Sequence, residues 1–189
     1  MARMSGAVYV GLLRAVNLGG HGKVGMGPLR EMAAARGFES VRSLLNSGNL
    51  VFAGKKMSPH AIEKTLESAA AESLNLKTDF FVRTDDEWKA IIAANPFVDE
   101  AKKDPAHLVV VCLKDKAGAA DVENLQAAIQ GPETVRAEGF TLYAVYPAGI
   151  GTSKLTMPVI ERHLGCRGTG RNWNTVLKLR ELASSIAGK

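Results

Sequence analysis

With 189 residues, 46% of them hydrophobic and 23% charged, the chain has globular composition, which excludes disorder as its main state. No apolar run approaches the roughly 20 residues that cross a bilayer, and Cys112 and Cys166 lie far apart without CxxC or Cys/His metal spacing, as in a reduced, cytoplasmic protein. The net charge of +5 is uneven: residues 1–30 hold four basic and no acidic side chains, residues 150–189 seven basic against two acidic, and the middle thirteen basic against seventeen acidic. If the basic ends meet in space, they form a positive surface suited to phosphate or carboxylate partners.

The apolar stretch after Arg3 is too short for a secretory signal and is interrupted by Arg14, so residues 8–14 are expected to form a buried first strand. Asn17-Leu18-Gly19-Gly20 is a turn signal. Residues 28–36 have helical spacing, with Pro28 suited to a first turn and Gly37 to a stop. Two short strands, 41–45 and 50–53, flank the hairpin signal Asn46-Ser47-Gly48-Asn49. Ser58-Pro59 opens a helix with Ile62, Leu66, Ala69, Ala70 and Leu74 on one face, and residues 78–82 form a further strand. The order β-α-β-β-α-β is that of a split βαβ, ferredoxin-like unit.

Thr84-Asp85-Asp86-Glu87 is a capping-box sequence opening a short helix that Asn95-Pro96 ends, and the polar stretch 98–105 has linker composition. Beyond it come an apolar strand (108–113), a helix (119–129), two strands (134–137 and 141–146), a glycine-rich turn (147–151) and a helix (158–164). Residues 173–186 are expected to close the chain as a helix in place of a last strand. The fold class is therefore α+β, with two ferredoxin-like (βαββαβ-type) units. The domains predicted are 1–83, a helical linker over 84–103, and 104–189.

Several strings carry a family resemblance: Leu12-Leu13-Arg14-Ala15-Val16-Asn17-Leu18-Gly19-Gly20 followed by Lys23 and Met26, then Asn46-Ser47-Gly48-Asn49-Leu50-Val51-Phe52, and Ala94-Asn95-Pro96-Phe97. Gly149-Ile150-Gly151-Thr152-Ser153-Lys154-Leu155 and Thr169-Gly170-Arg171-Asn172-Trp173-Asn174-Thr175-Val176-Leu177-Lys178-Leu179 complete the set. In this order, over nearly the whole chain, the sequence resembles the family known as domain of unknown function 1697. It departs at Ala15, where the family usually has Gly, and at Gly170, often a hydroxyl residue there. The resemblance implies no activity, so function rests on the residues.

Three segments carry candidate binding groups. After the first strand, Gly19 and Gly20 let the backbone approach a ligand, with Arg14, Asn17, His21 and Lys23 around it. That loop lacks the Rossmann and Walker patterns, so no nucleotide-cofactor motif applies. In a β-α-β-β-α-β unit, the first and second strands run parallel. The Asn46, Ser47 and Asn49 hairpin therefore falls at the same sheet end as this loop. The third segment is the start of the last helix, where Thr169 or Asn172 is placed to cap and Arg171, Asn174 and Lys178 gather beside free N–H groups. Ser153 and Lys154 add another anion contact after a glycine-rich turn. His21, His60, His107 and His163 show no metal-ligand spacing.

The reading these residues favour is a binding module for a phosphate-bearing or other anionic ligand, with an anionic small molecule as partner. Its site is composite and polar, built from the loop after the first strand, the hairpin at residues 46–49 and the start of the last helix. Nucleic acid is less favoured, because only 6% of residues are aromatic and no RNP-type string occurs. An enzyme acting on an anionic small molecule is an alternative, against which stands the lack of a visible nucleophile or general base. A further alternative is a structural or interaction protein whose polar strings lock backbone segments together.

Overall fold

The computed structural model describes residues 6–14, 25–45 and 47–188. They divide into two compact units, one of Met1–Lys89 with Lys178–Lys189 and one of Ala90–Leu177. The architecture is mixed α+β with two four-stranded antiparallel sheets. No helix among the described residues is long and apolar enough to cross a membrane.

In the first unit, β1 (Ala7–Leu13), α1 (Met26–Ala35), β2 (Glu39–Leu44), β3 (Asn49–Gly54), α2 (Pro59–Leu74) and β4 (Phe80–Thr84) follow in that order. The sheet runs β2-β3-β1-β4. Strand alternation sends Tyr9 and Leu13 of β1, Leu50 and Phe52 of β3, and Phe80 and Val82 of β4 into one core with Leu29, Ile62 and Leu66 of the two helices. Val8, Val10 and Leu12, on the other face of β1, are buried too, which is why this strand is a continuous apolar run in the sequence. Helix α2 begins as its Ser58-Pro59 opening dictates, with Ser58 Oγ accepting from the Ala61 N–H at 3.3 Å. It ends at Asn75, whose left-handed φ of +50° stops the helix. At the edge of the sheet, Glu67 and Glu63 of α2 accept the N–H groups of Phe80 (2.9 Å) and Val82 (2.8 Å), so β4 does not present a bare template to another strand.

Helices α3 (Asp85–Ala93) and α4 (Val98–Lys103) occupy the stretch that follows. Thr84 and Glu87 exchange the reciprocal capping-box bonds at 2.7 and 3.1 Å. Helix α7 (Trp173–Ala187) ends the chain, and its Arg180 reaches Asp85 at 3.0 Å within the first unit.

The second unit contains β5 (Leu108–Leu113), α5 (Ala119–Ala128), β6 (Thr134–Glu138), β7 (Thr141–Val145), α6 (Met157–Leu164) and β8 (Gly168–Asn172), with sheet order β6-β7-β5-β8. Here the expectation of a closing helix in place of a last strand is corrected. A strand, β8, precedes α7 and pairs antiparallel with β5, Gly168 opposite Leu113 and Gly170 opposite Val111. Gly-Thr-Gly suggests a turn by composition, but the glycines serve packing. A Cβ at Gly168 would lie 2.9 Å from Val111 Cγ1, and one at Gly170 would lie 2.9 Å from Val109 Cγ1. The β8 edge is covered as β4 is, with Glu161 of α6 accepting the Gly168 N–H at 3.0 Å.

Candidate functional site

The second unit holds a cleft of about 520 Å³, between the end of α5, the turn at residues 130–133, the loop at residues 148–155 and one face of α6. Its apolar wall is Leu125 and Ile129 from α5, Leu155 from the loop and Val159 from α6. Helical spacing puts Val159, Arg162 and His163 on one side of α6, so two basic side chains follow the apolar one to the rim. Lys154 joins them from the loop. Lys154 and Arg162 are exposed and His163 half-buried, and none of the three side chains has an ion-pair or hydrogen-bond partner among the described residues.

The loop is shaped by its own bonds. Gly149 takes a φ of +92°, which an L side chain resists, and its N–H donates to the Tyr146 carbonyl at 2.9 Å. Thr152 Oγ1 donates to the Ala148 carbonyl at 3.2 Å, and Ser153 Oγ accepts the Leu155 N–H at 3.0 Å. Ser153 in turn donates to Glu133 Oε1, tying the loop to the start of β6. Glu133 is only 7% exposed. Beneath it, the Tyr146 hydroxyl donates to the Leu155 carbonyl at 3.1 Å, and burial, with the Glu133 carboxylate nearby, pushes the Tyr146 phenol up to about 12.

Of the residues singled out in the sequence, Ser153 and Lys154 line this cleft. Glu133, Arg162 and His163 were missed, because they converge from three segments with no local spacing that marks them. Asn17, Gly19, Gly20, His21, Lys23 and Asn46 lie outside the described residues.

Arg14, Ser47 and Asn49 share one end of the first sheet. The Leu13 N–H donates to the Gly48 carbonyl at 2.8 Å, which sets the hairpin turn against the end of β1. Asn49 Nδ2 donates to the Leu44 carbonyl (3.0 Å) and to Ser47 Oγ (2.8 Å), closing the hairpin. The Arg14 guanidinium lies 3.6 Å from the Asp79 carboxylate.

Around β8 and α7, Asn172 is the cap, its Oδ1 accepting the Thr175 N–H at 3.0 Å. Thr169 instead belongs to β8, where its hydroxyl accepts from Arg171 Nη1 at 2.9 Å. Arg171 Nη1 also donates to the Gly170 carbonyl at 2.8 Å, and burial lowers its guanidinium to about 10. Asn174 and Lys178 are exposed on α7. No group of three or more His, Cys, Asp or Glu among the described residues is placed to hold a metal ion.

A family model described as "Protein of unknown function (DUF1697)" matches residues 7–143. Among solved structures, the chain is similar to a conserved bacterial protein, SP0830 from Streptococcus pneumoniae, with a TM-score of 0.73 and 20% identity over 94% of this chain and 99% of that one. At that identity the likeness is one of fold. No protein of curated description matches the chain.

Proposed function

We propose that this chain, which belongs to the DUF1697 family of proteins of unknown function, binds a small organic anion in the cleft of its Ala90–Leu177 unit. The observation that carries the reading is the pair of unpartnered cations, Lys154 and Arg162, at the rim of an apolar hollow. At about 520 Å³ the hollow falls within the roughly 300–1,000 Å³ of small-molecule sites. An apolar wall removes ligand surface from water, while the cations fix the orientation of a carboxylate or phosphate.

The strand orders support taking each unit as a ferredoxin-like fold, since both sheets place the first strand centrally between the third and the last. The free thiols of Cys112 and Cys166 support a cytoplasmic setting. A non-catalytic locking role is supported for Ser47, Asn49 and Asn172, whose bonds close a hairpin and cap a helix.

The test is a thermal-shift panel of small organic acids and phosphate monoesters against the wild-type chain and the Lys154→Glu, Arg162→Glu double variant. An anion at a hundred times its Kd adds about 2.7 kcal/mol to stability by mass action, and the charge-reversed variant should lose that gain. Equal shifts in both proteins, or none in the wild type at millimolar ligand, would defeat the reading. A nucleic acid ligand would instead show affinity falling steeply and log-linearly with salt.

A further inference from the structure

Glu133 is a carboxylate at the edge of a cleft whose rim is cationic. One of its oxygens, Oε1, is held by Ser153. The other, Oε2, has no partner among the described residues. Yet no fully buried side-chain oxygen or nitrogen there lacks a partner, so Oε2 keeps open surface although the residue is 93% buried. Since Glu133 lines the cleft, that surface is the cleft itself.

The neighbouring chain is arranged to keep the carboxylate in this position. A Cβ at Gly131 would collide with Oε2 and lie 3.0 Å from Cδ, so only glycine leaves room for it. Leu155 N–H and Glu133 Oε1 fix Ser153 from both sides, which aims the carboxylate as well as the loop. With so little of the residue open to water, Oε2 leaves a lone-pair direction that a donor entering the cleft can fill. Lys154 and Arg162 attract an anion to the same hollow.

Resting on the reading of the cleft as an anion seat, we infer that its ligand is a zwitterion of amino-acid type: an anionic group meets Lys154 and Arg162, an ammonium donates to Glu133 Oε2, and an apolar body lies on Leu125, Ile129 and Val159. A carboxylate in a partly dry site favours a cationic donor over a hydroxyl: both bonds are charge-assisted, but only the ammonium adds the attraction of opposite charges, which grows as water is excluded.

Two matched series test this by calorimetry. One is L-tryptophan, indole-3-propionate and tryptamine; the other is L-leucine, 4-methylpentanoate and 3-methylbutylamine. In at least one series the zwitterion should bind roughly tenfold or more tightly than the acid lacking the amine, the scale of one desolvated charge pair. Glu133→Gln should shrink that preference to less than about threefold while leaving the plain acid's affinity unchanged or improved. Gly131→Ala, which displaces the carboxylate without removing it, should act in the same direction, and it stands in for Glu133→Gln if that variant fails to fold by circular dichroism. Equal affinity for zwitterion and plain acid, or a phosphate monoester outcompeting both, overturns the zwitterion and leaves the anion seat intact. Preference for the plain amines overturns both, as does silence from every acid, zwitterion and phosphate ester.

Discussion

The turn that closes the β2–β3 hairpin gives a test in which two glycines share a backbone strain and differ in their surroundings. Gly37, after α1, and Gly48, in the hairpin, take φ of +86° and +73°, in the left-handed region that L side chains resist. A Cβ at Gly37 would meet nothing within 4 Å, whereas one at Gly48 would lie 2.7 Å from the Cβ of Leu13. Both lie in the first unit, so one reference unfolding reaction serves for both. Gly37→Ala carries the left-handed penalty of about 1–2 kcal/mol, offset by about 0.4–1 kcal/mol from the stiffer unfolded chain, for a net loss near 1 kcal/mol. Gly48→Ala adds an overpacking cost of about 1–3 kcal/mol. The obstructing atom sits one bond from the Leu13 backbone, and that backbone is bonded to the Gly48 carbonyl at 2.8 Å. Urea unfolding followed by circular dichroism at 25 °C gives both differences from the midpoints and slopes. A Leu13→Ala change on the Gly48→Ala background should give no rescue, since alanine keeps the Cβ. The reasoning is refuted if the two glycine variants agree to within about 0.5 kcal/mol, or if Leu13→Ala restores the hairpin.

Alkaline conditions should expose Tyr146. Its phenol is raised from 10.0 to about 12 in the folded chain, so its contribution is complete below pH 10 and is lost as pH rises toward 12. The loss is about 2 kcal/mol, and Tyr146→Phe should flatten the fall of the urea midpoint over that window, a result an unchanged slope would contradict. Glu161→Ala should leave the Gly168 N–H without its acceptor, speed exchange of that amide and cost about 1–2 kcal/mol, while Glu161→Gln, which keeps an acceptor, should cost less. Asn172→Ala should cost about 1 kcal/mol through loss of the α7 cap, and Asn172→Asp close to nothing, because an aspartate also caps and suits the helix dipole. Equal stability of the alanine and aspartate variants would show that the bond to Thr175 contributes nothing.

The elements that could be read from the sequence are those whose signals are local. Strand β5 is a run of six buried residues, and α2 and α3 begin at caps whose side-chain bonds form as the residue types require. Strand β2 starts at Glu39, earlier than its apolar residues suggest, because Ser40 has a φ of +50° and a register shift falls between Glu39 and Arg42. A bulge of that kind leaves no periodic trace. Strand β8 was hidden by its glycines, since their reason lies in Val109 and Val111, some sixty residues earlier in the chain. The cleft was half hidden in the same way. Ser153 and Lys154 follow a visible turn, whereas Glu133 matters only because Gly131 makes room for it and Ser153 reaches it from another loop.

The two units solve the same local problems alike, and this separates scaffold from function. Leu13 and Leu113 donate their N–H groups to the carbonyls of Gly48 and Phe140, at 2.8 and 2.9 Å, and Arg14 and Lys114 donate theirs to those of Asp79 and Arg167, both at 2.9 Å. Arg83 on β4, opposite Val10, and Arg171 on β8, opposite Val110, each donate through Nη1 to the carbonyl of the preceding residue at 2.8 Å. An arginine that recurs with the same bond in both sheets answers to the sheet before it answers to any ligand. The departures are the informative part. Between β3 and α2 the chain needs only residues 55–58, and α2 runs 16 residues; between β7 and α6 it takes residues 146–156, and α6 is cut to 8. That longer loop and shortened helix supply Ser153, Lys154, Arg162 and His163 to the cleft. The ends of that loop, Tyr146 and Leu155, pack into the core of the second unit, whereas residues 147–154 between them are exposed or half-exposed. That stretch must still overcome the entropy of its ordering, and the anion seat proposed above would account for its presence there.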